Sequence, residues 1–271
     1  MAKNSAIEWT DSTFNPWIGC TKISPGCTHC YAEEIMDFRF NKVRWGPRGT
    51  RVRTSKSNWE QPRKWNRQAK KAGVRTRVFC ASLADVFEDK PDQPEMDDWR
   101  IDLFQLIIET PSLDWLLLTK RPENVCPMIE RATGFSDCLM WFPDNVWIGT
   151  SVENQEQADK RIPELLKVPA AVRFLSVEPL LGSVDLENWV MPDDSRPSHG
   201  ILTGDSLIDW VIVGGESGPN ARPMHPDWVR AIRDQCQMAD VPFFMKQMYK
   251  KQSIPDDLFI RQFPGDSYDP N

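Results

Sequence analysis

No stretch of this chain approaches the run of about 18 apolar residues that a membrane span needs. The first residues, Met1-Ala2-Lys3-Asn4-Ser5-Ala6-Ile7-Glu8-Trp9, carry no apolar core of a secretory leader. There is no low-complexity tract and only three histidines, His29, His199 and His225. One Cys-x2-Cys pair occurs, and no second follows it. These absences argue against a membrane protein and against a zinc module built on two cysteine pairs. They lead to the expectation of a cytoplasmic protein.

What is present is concentrated. Cys20, Cys27 and Cys30 fall within eleven residues, separated by Thr-Lys-Ile-Ser-Pro-Gly and Thr-His. In a reducing compartment, clustered thiols point to metal or catalysis more than to disulfides. Three thiolates without an evident fourth ligand leave a coordination position open, as on a cluster in which one iron lacks a cysteine. Zinc closed by His29 is the alternative. Cys80, Cys126, Cys138 and Cys236 read as structural, since a free cysteine behaves as a small buried hydrophobe.

Charge is segregated as well. The chain has a net charge of −6, yet between Asp37 and Arg77 fourteen Lys and Arg face two acidic residues. Trp45, Trp59 and Trp65 are interleaved there. Cations with aromatics are what phosphate contacts and base stacking require. Arg44, Arg48, Arg51, Arg53, Trp59, Arg63 and Lys64 are the candidate nucleic-acid contacts, with a solvated basic face as the plainer reading.

Behind the cysteines a rhythm of apolar runs begins: 77–82, 113–119, 146–151, 172–176, 210–213 and 241–245. Most do not alternate, as expected of parallel strands covered on both faces. Helical patterns over 94–110, 154–167 and 226–239 separate some of them. The expectation is one α/β domain spanning the chain, a full or partial (β/α) TIM-like barrel with the cysteine loop near its N-terminus. An open doubly wound sheet is the runner-up. Residues 39–77 form a basic segment, 183–208 an insertion loop, and 248–271 a peripheral tail. A basic helix is expected from Trp59 to Lys71, capped by Asn58 and ended by Gly73.

Polar residues follow the runs, where a barrel gathers its functional groups. Ser82, Asp85, Lys120, Arg121, Ser151 and Glu153 are candidates for cofactor binding. Glu178, Glu216 and Lys246 are candidates for catalysis. Each alone could be a cap or a solvated charge.

Several ordered segments carry a resemblance. They are Ile7-Glu8-Trp9-Thr10-Asp11, Gly19-Cys20-Thr21-Lys22, Ser24-Pro25-Gly26-Cys27, Cys30-Tyr31-Ala32-Glu33, Ser82-Leu83-Ala84-Asp85-Val86-Phe87, Thr119-Lys120-Arg121-Pro122-Glu123, Gly149-Thr150-Ser151-Val152-Glu153-Asn154, Ser176-Val177-Glu178-Pro179-Leu180 and Gly214-Gly215-Glu216-Ser217-Gly218. Over nearly its whole length the chain resembles the three-Cys-motif family of radical-SAM-like phage proteins. The spacing departs from the Cys-x3-Cys-x2-Cys usual in that superfamily. The resemblance implies a 4Fe-4S cluster on Cys20, Cys27 and Cys30, S-adenosylmethionine (SAM) as cosubstrate, and an electron donor such as flavodoxin or ferredoxin. With the basic segment, it implies a radical SAM enzyme acting on a nucleic-acid base or nucleotide, in phage nucleic-acid modification or repair. Two alternatives stand beside it: a non-catalytic zinc-containing nucleic-acid-binding module, and a radical SAM enzyme acting on a peptide or small molecule.

Overall fold

The computed structural model describes residues 5, 7–191 and 208–265. Most of the expected 183–208 insertion lies outside the described residues. Strands are β1 (Ser12–Thr13), β2 (Trp17–Ile18), β3 (Val52–Arg53), β4 (Thr76–Cys80), β5 (Leu113–Thr119), β6 (Val146–Ser151), β7 (Val172–Val177), β8 (Trp210–Gly214) and β9 (Phe243–Gln247). The fold is mixed α/β. Its main sheet has the order β1-β4-β5-β6-β7-β8-β9. That order follows the chain without the reversal that defines a doubly wound sheet, so the runner-up reading is set aside. No helix among the described residues is long and apolar enough to cross a membrane.

The chain divides into two compact units, residues 1–148 with 168–171, and 149–167 with 172–271. In the first, β1 and β5 both pair with β4 in parallel. β5 is buried along nearly its whole length, which explains its unbroken apolar sequence. The helices Glu95–Glu109 and Val125–Thr133 belong to this unit. Leu103, Leu106 and Ile107 of the former are fully buried. Phe14 stands edge-on to both Trp59 and Trp115, with centroids 5.4 and 5.6 Å apart. The Trp115 indole donates to Thr110 Oγ1 at 3.0 Å, so this large side chain is buried without an orphaned N–H.

A small antiparallel ladder, Trp17–Arg53 and Ile18–Val52, ties the lead-in of the cysteine loop to the basic segment. Beyond it, Ser55, not Asn58, caps the helical turn Lys56–Trp59 by accepting from the Asn58 amide. The helix Gln61–Ala72 then ends at Gly73, which takes the left-handed conformation (φ +68°) that glycine adopts without strain.

In the second unit, β8 pairs in parallel with β7 and β9. The helices Gln155–Leu165 and Pro226–Met238 belong to it. Trp210 is the centre of an aromatic cluster with Phe174, Phe244 and Phe263. The segment from Tyr249 to Phe263 is not peripheral. Leu258 is fully buried, and Arg261 forms an antiparallel bridge with Phe244 of β9.

Candidate metal centre

The cysteine loop follows β1 and runs past the carboxyl end of β4, where Gly19 bridges Ala84 in parallel. Gly19 has φ +113°, and a Cβ there would meet Thr50 O at 2.7 Å and Arg51 Cδ at 2.9 Å. Only glycine lets the chain turn this closely over Arg51. The Gly46 amide donates to Cys20 O at 2.9 Å, a second tie between loop and basic segment. A short 3-10 turn, Pro25–Cys27, presents Cys27, and Cys30 starts the helical turn Tyr31–Glu33. A π-helical turn, Glu34–Arg39, continues it. Lys22 Nζ bridges from the loop to Glu33 at 2.5 Å. Tyr31 donates its hydroxyl to Ser82 O at 2.7 Å.

Beneath Cys20 lies a group of buried charges. Asp85 accepts from Phe87 N, Thr119 Oγ1, Lys120 N and Arg121 Nη1, the last at 2.7 Å. Arg121 also donates to Thr21 O at 2.9 Å, and its Nη1 lies 4.0 Å from Cys20 Sγ. Arg51 meets Glu88 as a two-pronged pair, at 2.7 and 2.6 Å, and donates to Thr21 Oγ1 at 2.8 Å. Arg51 is 2% exposed and Glu88 1%. Asp85 and Arg121 were expected to hold a cofactor. Their bonding is instead spent on each other and on the loop, so they act as its support.

This surrounding shapes the thiols. Burial pushes the Cys20 thiol well up, Asp85 and Glu88 add to the rise, and Arg121 opposes it. The Cys30 thiol is also raised by burial, with Cys27 adding to the rise and Lys120 countering it. Burial disfavours charge on Arg121, but Asp85, Cys20 and Glu88 overcome that and hold it firmly protonated.

A three-cysteine cluster fits this loop. Its donors are three half-buried free thiols. A single tetrahedral zinc, with bonds of about 2.3 Å, would hold its sulfurs about 3.8 Å apart. Among the described residues, the group of His, Cys, Asp and Glu whose ligand atoms all lie within 4.8 Å of one another is Glu130, Asp137 and Cys138. Cys138 is itself joined to Cys126 in a disulfide, where two separate structural thiols were expected. Cys80 and Cys236 are buried, as expected.

The remaining strand-end candidates lie in the second unit, apart from Lys120, whose amide is bound by Asp85, and Ser82, which accepts from Asn15 Nδ2 at 3.0 Å. Glu153 is 0% exposed and paired with Arg161 at 2.8 Å, and Ser151 is buried with its carbonyl bound by the same guanidinium. The helix Gln155–Leu165 turns Arg161 back under the strand end, so both are interior supports and not open cofactor ligands. Lys246 Nζ pairs with Glu178 Oε2 at 2.9 Å, while Glu178 Oε1 is buried without a hydrogen-bond partner. Glu216 is bound by Arg222.

The nucleic-acid candidates divide. Arg51 is interior, and Trp59 is 7% exposed beneath Arg53, whose guanidinium lies 4.2 Å from its ring centroid. Neither reaches a phosphate or a base, and Trp65 is buried as well. Arg53 pairs with Asp102 and Arg63 with Glu109. Arg44, Arg48 and Lys64 are exposed. Sequence reasoning missed Glu88 and Thr21. A glutamate closing an otherwise apolar Val86-Phe87 run was the available signal for the first; Thr21 offered none.

No curated protein matches this chain. Among solved structures, a cysteine-to-serine mutant of spore photoproduct lyase is similar, with a TM-score of 0.53 and 11% identity over 92% of this chain and 79% of that one. At that identity the likeness is one of fold. A family model described as a protein of unknown function (DUF5131) matches residues 4–268, and the chain belongs to that family.

Proposed function

We propose that the protein is a radical SAM enzyme with a partial (β/α) barrel, that Cys20, Cys27 and Cys30 hold a 4Fe-4S cluster, and that its substrate is a nucleic-acid base or nucleotide. The observation that carries the reading is the three-thiol loop after the first strand, with one buried guanidinium near Cys20 and Lys120 near Cys30. The fold likeness to an enzyme named for lysing a spore photoproduct supports it. When bound, cluster and SAM supply one-electron cleavage chemistry.

The chain's own residues do the rest. The cysteines give up their protons to become ligands, in Cys20 and Cys30 against the burial that raises those thiols. Lys120 lends positive charge beside Cys30 and offers a donor to a carboxylate. Ser82 follows β4, where its hydroxyl accepts from Asn15 and its carbonyl from Tyr31. Glu178 and Lys246 present an acceptor and a donor to substrate, and Glu216 is aimed by Arg222. Arg44, Arg48 and Lys64 remain for phosphate. An electron donor of the flavodoxin or ferredoxin kind completes the cycle.

The test is anaerobic purification or reconstitution, then metal analysis and incubation with SAM and reductant. Roughly four irons per chain, a thiolate-to-iron absorption shoulder near ~400 nm and release of 5′-deoxyadenosine are expected. Colourless protein with one tightly held zinc would remove the proposal.

A further inference from the structure

Two arginines from distant parts of the chain converge on Thr21, the residue after Cys20. Arg51 reaches its hydroxyl at 2.8 Å, and Arg121 its carbonyl at 2.9 Å. Each arginine is paired with a buried carboxylate, Glu88 and Asp85, and Arg121 Nη2 lies 3.8 Å from Glu88. The four charges form one chain of two cations and two anions. Arg51 Nη1 also lies 3.2 Å from the carbonyls of Gly49 and Thr50, fastening the other wall of the loop. Gly19 is packed directly over this side chain.

Stability does not account for such a group. Taking four charges out of water is costly, and well-packed apolar residues often do as well. A function in placing charge does account for it. Hydrogen bonds and net charge near the sulfurs set the potential of an iron–sulfur centre. The one guanidinium nearest Cys20 Sγ is held there by Asp85.

We infer that Asp85, Glu88, Arg51 and Arg121 are positioning residues that fix Cys20 for metal and set the reduction potential of the centre it binds, a role that rests on the iron–sulfur reading above. Arg121 favours the more negative, reduced state, and Asp85 disfavours it. Removing either charge therefore moves the potential, in opposite directions.

The experiment is a redox titration of the reconstituted full chain, with iron content measured on the same samples. Arg121→Gln should lower the midpoint potential, Asp85→Asn should raise it, and Arg121→Lys should return most of the loss. Glu88→Gln, one residue further from the sulfur, should give a smaller rise and serves if Arg121→Gln does not fold. Iron-loaded variants that all keep the wild-type potential, or that shift the same way, would overturn the inference and leave the enzyme reading standing. A wild-type chain that takes up no iron would end both.

Discussion

Gly214 makes the room that Glu178 occupies: a methyl group at position 214 would lie 2.5 Å from Glu178 Oε1. The carboxylate is thus seated on bare backbone at the end of β8, with Lys246 of β9 on its other oxygen. Gly214→Ala should push the carboxylate off this seat. The clash is with the end of a flexible side chain that can turn aside, so the loss should lie at the low end of overpacking costs, about 1 kcal/mol. Urea unfolding of the variant measures that loss, and an unchanged midpoint would contradict the seat.

Breaking the Arg51–Glu88 pair from one side leaves a buried charge uncompensated. Arg51→Met or Glu88→Leu alone should cost about 3–5 kcal/mol, while the double variant should recover much of the loss. A double-mutant cycle in denaturant reads the coupling. Additive losses would mean that the two side chains do not depend on each other.

Cys20→Ala, Cys27→Ala and Cys30→Ala should each abolish stable iron uptake. Cys80→Ala and Cys236→Ala should retain the metal and lose stability instead, since both thiols are buried and outside the loop. Iron analysis beside thermal melts separates the two sets. Loss of iron in the Cys80 or Cys236 variant in a folded chain would misplace the centre.

If exposed cations hold phosphate, binding to duplex DNA should weaken steeply with salt. Each contact removed should lower the slope of log K against log salt by about 0.9. Arg44→Ala, Arg48→Ala and Lys64→Ala should do so, and conservative replacement of the buried Trp59 should not. A wild-type response flat in salt would withdraw nucleic acid as the substrate class.

The strands were legible because burial on both faces writes itself as unbroken apolar sequence, and β5 and β6 were read at their observed limits. The helix Val125–Thr133 was not, because its short apolar face follows directly on the Thr119–Glu123 segment. The clustering of the three cysteines could be read from their spacing alone. The roles of Asp85, Arg121, Glu153 and Arg51 could not. A charge after a strand looks the same in sequence whether it faces a ligand or a buried partner. The partners here stand eight to thirty-seven positions away. Trp59 and Trp65 misled for a similar reason, since helical phase turned both inward while their basic neighbours stayed outside.

The bridge between Phe244 and Arg261 has a bearing on the chain's company with itself. β9 is the last strand of the sheet, so one side of its backbone would otherwise be a row of open donors and acceptors. Met245 N donates to Ile260 O at 2.8 Å, and Gln262 N to Phe243 O at 3.0 Å. The stretch from Ile260 to Gln262 is therefore a selvedge. It uses up the edge that another copy could have annealed to, and a chain cut before Pro255 would leave that edge sticky.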